Sequence, residues 1–283
     1  MDSFFIQMEK IISHDPGKRG VDDLFISGEL EQSAVSLSRG GSVWIVTGFL
    51  LGPGLVETDG PLGALALALA LNELNYHITI IADTGCRFLL QTLFERYAPP
   101  TIIFKNWEEL ERPFSALFTS SHPSHLIAIE RPGRNRWGDY LNARCQSVAN
   151  WNAPADELFL CEPRPITIGI GDGGNEIGMG KITAESNWPG RSIVSTDYLI
   201  TAGVSNWGAY ALCGALSLLN GKSLVPLPEL ESEWLNTLVT AGAVDGFSLK
   251  PELKIDGLSI GFHAEILSKI QNLVTNFLGK SIN

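Results

Sequence analysis

The chain has 283 residues, of which 45% are hydrophobic and 18% charged, which is typical of a globular protein and argues against disorder. Its formal net charge of −11 argues against nucleic-acid partners and anionic membrane surfaces, because both require basic patches. No uninterrupted apolar run approaches the roughly 20 residues of a membrane span. Composition therefore predicts a soluble protein that acts on a small molecule.

Residues 1–39 are predicted to form a leader with a helix. The opening MDSFFIQMEKIISHDPGKRG has acids from position 2 and no apolar core before a small-residue cleavage site, so it resembles neither a signal peptide nor a transit peptide. The four cysteines are far apart and form no CxxC pair, which is typical of free thiols in a reducing compartment. Both observations favour a cytoplasmic location.

Short, continuously apolar runs rich in β-branched residues predict strands that are covered on both faces of a parallel sheet. These runs are 42–48, 77–83, 100–106, 125–131, 165–171 and 191–197. Helices are predicted at 59–74, 86–98, 205–219 and 263–279, the first with Asp59 at or near its N-cap and Pro61 in its first turn. The alternation predicts an α/β fold, a mostly parallel sheet with helices on both faces.

The domain organisation follows from the absence of a low-complexity linker. We expect one α/β domain over 40–283, in which 205–283 could form a smaller accessory lobe. Residues 224–234 are predicted to be a surface connection.

Several predicted strands end on a polar residue, namely Thr47, Asp83, Glu130, Asp172 and Asp197. In open parallel sheets, ligands bind outside the carboxyl ends of the strands. An acid after a strand also caps the next helix, which accounts for part of the pattern. Asp172 lies among glycines and Glu130 precedes RPGRN, so these two acids are the stronger site candidates.

The segment 168–181, IGIGDGGNEIGMGK, contains six glycines. Three of them spell the dinucleotide fingerprint GxGxxG, and Asp197 follows at a suitable distance. However, Asp172 and Glu176 would face the pyrophosphate with negative charge, and the following residues are a poor helix. No nicotinamide or flavin cofactor is therefore expected, and the spacing also misses the Walker A pattern.

The favoured interpretation is an oxygen-rich loop in which Asp172, Asn175 and Glu176 point to a common centre. Such oxygen ligands suit Mg²⁺ or Mn²⁺, or the ammonium group of a substrate. The structural alternative is a tight strand-to-helix turn with a solvated aspartate. On the favoured interpretation, the glycines let a metal ion or an amino-acid substrate come close to the loop.

Blocks of this sequence resemble the D-glutamate cyclase family, in family order from about residue 40 to about residue 265. The glycine block with its Asn-Glu pair is the most specific of them. The others are TDGPLGA (58–64), IERPGRNRWGDYLN (129–142), LITAGVSNWGAYAL (199–212) and VDG (244–246). Family members are reported to convert D-glutamate to 5-oxo-D-proline and water. The resemblance thus implies a lyase, and the short segment before Gly40 predicts a stand-alone, bacterial-type version.

The implied cyclisation needs a base for the ammonium group, a positive charge or metal for the carboxylate, and an acid for the departing oxygen. The candidate catalytic residues are Asp172, Glu176, Asp59 and Glu130. The candidate ligands of Mn or Mg are Asp172, Glu176 and Glu130. The candidate substrate-binding residues are Gly173, Gly174, Asn175, Arg131, Arg134, Tyr140, Asn142, Ser205 and Asn206.

Two of these assignments carry a specific geometry. Arg131 and Arg134 would hold the substrate α-carboxylate in the bidentate manner that suits arginine. The backbone amides of Gly173 and Gly174 would cradle an oxyanion. The expected partner is therefore a small acidic amino acid.

Other functions remain open at this point. A Mg- or Mn-dependent hydrolase of a small phosphate ester would use the same oxygen-rich cluster. A non-catalytic module that binds an amino acid or a nucleotide is a third interpretation. The apolar helix faces allow a homodimer without requiring one.

Overall fold

A computed structural model of the protein describes residues 2–18, 20–183 and 187–280. Six parallel strands of this part form one sheet, and two short antiparallel pairs lie outside it. The strands of the sheet are β1 (Ser42–Thr47), β4 (His77–Ala82), β5 (Ile103–Asn106), β6 (His125–Ile129), β7 (Ile166–Gly171) and β8 (Tyr198–Thr201). The short pairs are β2 (Leu50–Gly52) with β3 (Leu55–Val56), and β9 (Lys254–Ile255) with β10 (Leu258–Ser259).

Helices cover both faces of the sheet. They are α1 (Asp2–Ile12), α2 (Val21–Leu24), α3 (Glu29–Leu37), α4 (Pro61–Glu73), α5 (Arg87–Tyr97), α6 (Phe114–Ser121), α7 (Glu157–Leu160), α8 (Ser205–Asn220), α9 (Pro228–Thr240) and α10 (Ile260–Lys280). Among the described residues, no helix has the length and apolar character needed to cross a bilayer.

Strand β1 shows why the sheet is buried on both sides. Val43 and Ile45 pack into the larger core, with residues of α1, α3, α4, α5, α8, α9 and α10. Trp44 and Val46 point the other way, into a core shared with α6 and α7. Because neighbouring side chains of a strand face opposite sides, a strand covered twice must be apolar throughout. The predicted α/β fold with a parallel sheet is confirmed.

The strand predicted at 191–197 is wrong, because the sixth strand is Tyr198–Thr201. Asp197 therefore precedes a strand and lies at the amino edge of the sheet, not at the carboxyl edge. There its carboxylate accepts bonds from the Arg164 guanidinium at 2.5 Å and from the Thr167 amide at 2.8 Å. These bonds join the starts of β7 and β8.

Two further segments differ from a simple reading of the sequence. The predicted surface connection at 224–234 contains the start of α9, with Pro228 in its first turn and Trp234 buried. Residues 1–39 include α1 and α3, whose apolar residues belong to the larger core. The division into leader, domain and accessory lobe remains a prediction.

The strand order β5-β4-β1-β6-β7-β8 identifies the position at which a ligand is expected. From β1 the chain builds β4 and β5 on one side, and it then returns to build β6, β7 and β8 on the other. In sheets of this kind the ligand lies where the order reverses, outside the carboxyl ends of the strands. Here that point lies beyond Thr47 of β1 and Ile129 of β6, next to Glu130.

Candidate active site

A cleft of about 1090 Å³ opens at the carboxyl edge of the sheet. Its walls come from α2 and the segment before it, the segments that follow β1, β6, β7 and α9, and the β9–β10 pair. The charged lining residues are Asp23, Glu57, Glu130, Asp172, Glu176, Asp256, Arg144 and Arg191. The lining is therefore strongly acidic.

Three acids converge at the reversal point. Carboxylate oxygens of Asp59, Glu130 and Asp172 lie within 4.8 Å of one another, and the three residues are only 2%, 6% and 3% exposed. Burial, followed by the negative charges of Asp172 and the neighbouring acids, raises the pKa of Glu130 well above its usual value. A group of carboxyls this crowded is stabilised by positive charge, whether a proton, an ammonium group or a metal cation.

Glu130 reaches this cluster through an unusual backbone conformation. Its φ of 44° lies in the left-handed region, which residues other than glycine rarely adopt, and its amide donates to the carbonyl of Ile170 on β7 at 3.1 Å. Gly60 packs against it with φ of 93°, and a Cβ at Gly60 would lie 2.7 Å from the Glu130 Cβ. The glycine of TDGP is thus required both for its turn and for this close approach.

Asp59 and Asn206 cap each other's helices. The Asp59 carboxylate accepts the amides of Ser205 and Asn206, each at 2.9 Å, at the start of α8. The Asn206 side-chain oxygen accepts the amides of Gly60 at 3.0 Å and Gly63 at 2.7 Å, at the start of α4. Asp59 lies directly before Gly60, the N-cap residue of α4, and also accepts a hydrogen bond from the Gly60 amide at 3.0 Å. Two helix N-termini meet at the acid cluster, and their dipoles favour negative charge there.

Ser205 connects this capping arrangement to the cleft. Its hydroxyl donates to a Glu130 carboxylate oxygen at 2.5 Å, and the residue is fully buried. Ser205 and Asn206, expected as hydrogen-bonding groups around the substrate, instead hold Glu130 and Asp59 in place.

The glycine loop holds Glu176 through its own backbone. The amides of Gly173 and Gly174 each donate to a Glu176 oxygen at 2.8 Å. The two backbone amides that were predicted to bind an oxyanion of the substrate thus bind the Glu176 carboxylate. Asn175 donates from its side chain to the Leu141 carbonyl at 2.9 Å and lines the cleft with Glu176.

The glycines of this loop make room mainly for the chain itself. A Cβ on Gly169 would lie 2.6 Å from the Ile177 carbonyl oxygen and 2.8 Å from the Gly178 Cα, so the loop folds back onto β7. In the described part of 172–204 no helix follows β7. The helix N-terminus that a dinucleotide fingerprint requires is therefore not found in these described residues.

Arg131 does not reach the cleft as predicted. Its side chain is fully buried and donates to the carbonyls of Gly48 and Ala153, each at 2.7 Å, and to the Asp83 carboxylate at 2.8 Å. It therefore ties together the segments that follow β1, β4 and β6. Because Arg131 is fully buried and is not among the residues that line the cleft, it is not placed to bind a substrate carboxylate.

Arg134 and Tyr140 are likewise engaged with an internal acid. Arg134 donates to both oxygens of Asp156, at 2.7 and 3.0 Å, and the Tyr140 hydroxyl donates to the same carboxylate at 2.7 Å. Asn142 lines the cleft, while its side-chain oxygen accepts the amide of Arg144 at 2.9 Å. Of these three predicted substrate-binding residues, the structure brings Asn142 to the cleft.

Glu57, Arg144 and Arg191 were missed by the sequence analysis although they line the cleft. Glu57 is two residues before Asp59 in ETDGP, and its charge contributes to the raised pKa of Glu130. A Cβ on Gly246 of the VDG block would lie 2.9 Å from a Glu57 oxygen, which accounts for the glycine in that block. The position of Glu57 directly before the TDGPLGA block was a usable signal, whereas neither arginine lies in one of the blocks.

Comparison with known proteins identifies the family of the whole chain. A sequence model of the D-glutamate cyclase-like, C-terminal family matches residues 8–271. The chain is 33% identical over 321 aligned positions to the human (Homo sapiens) protein named D-glutamate cyclase, mitochondrial, which covers 95% of this chain and 52% of that protein. The chain thus spans about half the length of this curated relative. It belongs to the D-glutamate cyclase-like, C-terminal family.

Proposed function

We propose that the chain is a lyase that converts D-glutamate to 5-oxo-D-proline and water. The observation that carries this proposal is the buried cluster of Asp59, Glu130 and Asp172 at the reversal point of the sheet. The name of the human relative supports the choice of substrate. Because the chain spans about half of that relative, the activity is inferred for this chain and not transferred from it.

The reaction joins two ends of one molecule. The α-nitrogen attacks the γ-carboxyl carbon, a C–N bond forms, and one C–O bond of the carboxyl group breaks. Two protons leave the ammonium group and end on the departing oxygen, so the products are the lactam and one water molecule. Holding glutamate in its folded conformer supplies part of the rate, since ring closure depends on orientation.

The residues of the cluster suit the amine end of this reaction. Their combined negative charge attracts the substrate ammonium group in a buried place, where such attraction is strong. Glu130 and Asp172 line the cleft and are the two carboxyls placed to take a proton from the nitrogen and return it to the oxygen. Asp59 and Ser205 hold the geometry from behind this pair through the start of α8.

The donor set also fits Mn²⁺ or Mg²⁺, because both prefer carboxylate oxygens and three buried ones converge here. Asp59, Glu130 and Asp172 would hold the ion. This set differs from the predicted one, in which Glu176 stood in place of Asp59, because the carboxylate oxygens that lie within 4.8 Å of one another are those of Asp59, Glu130 and Asp172. A bound ion would neutralise the γ-carboxylate and so make it a better electrophile.

The experiment is an NMR assay of the purified chain with D-glutamate, with L-glutamate as the control, each in EDTA and after replacement by Mn²⁺. The proposal predicts 5-oxo-D-proline from the D isomer. The dependence on Mn²⁺ shows whether the acid cluster works with a metal. If neither isomer gives product in any condition, the proposed activity is wrong.

The hydrolysis of a phosphate ester has no specific support from the described residues or from the comparisons. The chain would be a phosphate-ester hydrolase if it released phosphate from a panel of esters and formed no lactam from D-glutamate. The cytoplasmic location and the homodimer remain predictions.

A further inference from the structure

The proposed substrate is acidic and the cleft lining is mostly acidic. One carboxylate of the substrate therefore still needs a positively charged partner in the cleft. D-glutamate carries two carboxylates and one ammonium group. The acid cluster suits the ammonium group and, with a cation, the γ-carboxylate that reacts. Among the described lining residues, the basic side chains are those of Arg144 and Arg191.

Arg191 runs along the glycine loop. Its amide donates to the Trp188 carbonyl at 3.2 Å, and the amide of the next residue donates to the Gly174 carbonyl at 2.9 Å. Its Cδ lies 3.9 Å from the position that a Cβ on Gly174 would occupy. The side chain therefore enters the cleft on the same wall as Glu176, which is close enough to affect its pKa.

The hydrogen bonds of Arg191 differ from those of the other arginines near the cleft. Arg131 and Arg134 each bond a buried aspartate at 3.0 Å or less. Among the described residues, Arg191 donates from Nη2 to the Ile182 carbonyl, at a longer distance of 3.3 Å. Burial lowers its pKa, while the charge of Glu176 opposes this change. A half-buried guanidinium of this kind gains most from an incoming carboxylate.

Arg144 is less suited to the same role. It is exposed, and its Nη2 already donates to the Phe247 carbonyl at 2.7 Å, which holds the loop at the mouth of the cleft. It therefore offers a matched control, since it is an arginine that lines the same cleft and is already bound by the Phe247 carbonyl.

We propose that Arg191 binds the α-carboxylate of the substrate and so determines both substrate class and stereochemical preference. This inference rests on the proposed cyclase function. When the ring closes, the nitrogen and the γ-carbon are fixed at the acid cluster, and the α-carboxylate projects from the ring at the stereocentre. One enantiomer directs this group toward Arg191, and the other directs it away.

The test compares Arg191→Met with Arg144→Met. Each variant is assayed with D-glutamate and with D-isoglutamine, which keeps the amine and the γ-carboxylate but carries a neutral α-amide. In the wild type, D-glutamate should be preferred about 100-fold in kcat/KM. Arg191→Met should abolish this preference, mainly by raising the KM for D-glutamate. Arg191→Lys should restore part of the preference. Arg144→Met should keep the preference within about threefold of the wild type.

Calorimetric titration of D-glutamate separates the two proposals. If the wild type binds D-glutamate without forming product and Arg191→Met loses that binding, Arg191 is the anchor and the cyclase function is wrong. If the wild type forms product and Arg191→Met has unchanged KM and preference, the anchor is wrong and the function stands. If the wild type neither binds nor converts D-glutamate, both are overturned. Equal melting temperatures of the two methionine variants confirm that both are folded.

Discussion

Two groups of buried carboxylates lie around the carboxyl edge of the sheet, and they are stabilised in opposite ways. Asp83 and Asp156 each meet an arginine, at 2.7 Å in both ion pairs. The Glu130 carboxyl accepts a hydrogen bond from the Ser205 hydroxyl, and the other charges that act on it are those of neighbouring acids. The first group is neutralised by guanidinium groups of the protein, whereas the charges of the second crowd one another and favour the binding of a cation.

This difference separates residues that hold the fold from residues that act on a ligand. A carboxylate bound by a buried guanidinium is fixed and chemically inactive. A carboxyl crowded by others has a shifted pKa and attracts cations, which is typical of functional sites. The acids of the cleft are therefore the ones to alter in order to remove activity, and the paired acids are the ones whose loss should unfold the chain.

The largest expected effect is that of Glu130→Gln on turnover. Removing a carboxyl that moves a proton should lower kcat by about 10²- to 10⁴-fold. The variant should be at least as stable as the wild type, because the amide relieves repulsion from Asp172 and the neighbouring acids. Product formation by NMR and the urea midpoint, measured on the same sample, check both statements. A variant that is less stable but fully active would place Glu130 in the structural group.

Arg131→Met should act on stability. It leaves the buried Asp83 carboxylate without its guanidinium, which costs about 3–5 kcal/mol of unfolding free energy. Arg131→Lys should rescue little, since one ammonium group cannot serve Gly48, Ala153 and Asp83 in the same geometry. Urea unfolding followed by circular dichroism measures the loss. A midpoint unchanged from the wild type would show that this pair does not stabilise the fold.

Glu231 is a buried carboxyl that belongs to neither group. Burial raises its pKa to about 7, against the opposing effect of the Tyr210 hydroxyl that donates to it at 3.0 Å. Since the folded pKa exceeds the unfolded one, its contribution to stability is complete below about pH 4.5 and is lost as the pH rises through about 7. Glu231→Gln should remove about 3 kcal/mol of this pH dependence. Unfolding free energies between pH 5 and pH 8 test it, and parallel curves for the two proteins would contradict it.

Local patterns in the sequence were sufficient to predict much of the fold. The run ITIGIG is β-branched and continuously apolar, and it is strand β7. The run SIVST is similar but is not a strand, because the side chain of Asp197 bonds to Arg164 and Thr167 and fixes where β8 begins. Bonds between residues 30 or more positions apart leave no local signal.

In the site, too, residues with a local sequence signal could be predicted, and residues positioned by distant partners could not. Glu130 and Asp172 could be predicted, because acids that end parallel strands meet at one edge. The roles of Arg131 and Arg134 could not, because their acids, Asp83 and Asp156, are 48 and 22 positions away. Arg191 was missed for the related reason that only the folded glycine loop brings it to the cleft.

The most direct test of the account compares Asp172→Asn with Asp197→Asn in one assay of D-glutamate turnover. The two aspartates lie at opposite edges of the sheet, after β7 and before β8. Burial raises the pKa of Asp197, but its bonds to Arg164 and Thr167 prevail and lower it to about 2. Asp172→Asn should lose turnover and keep the fold, whereas Asp197→Asn should keep turnover and lose stability. Full turnover by folded Asp172→Asn would contradict the claim that the acid cluster is the active site.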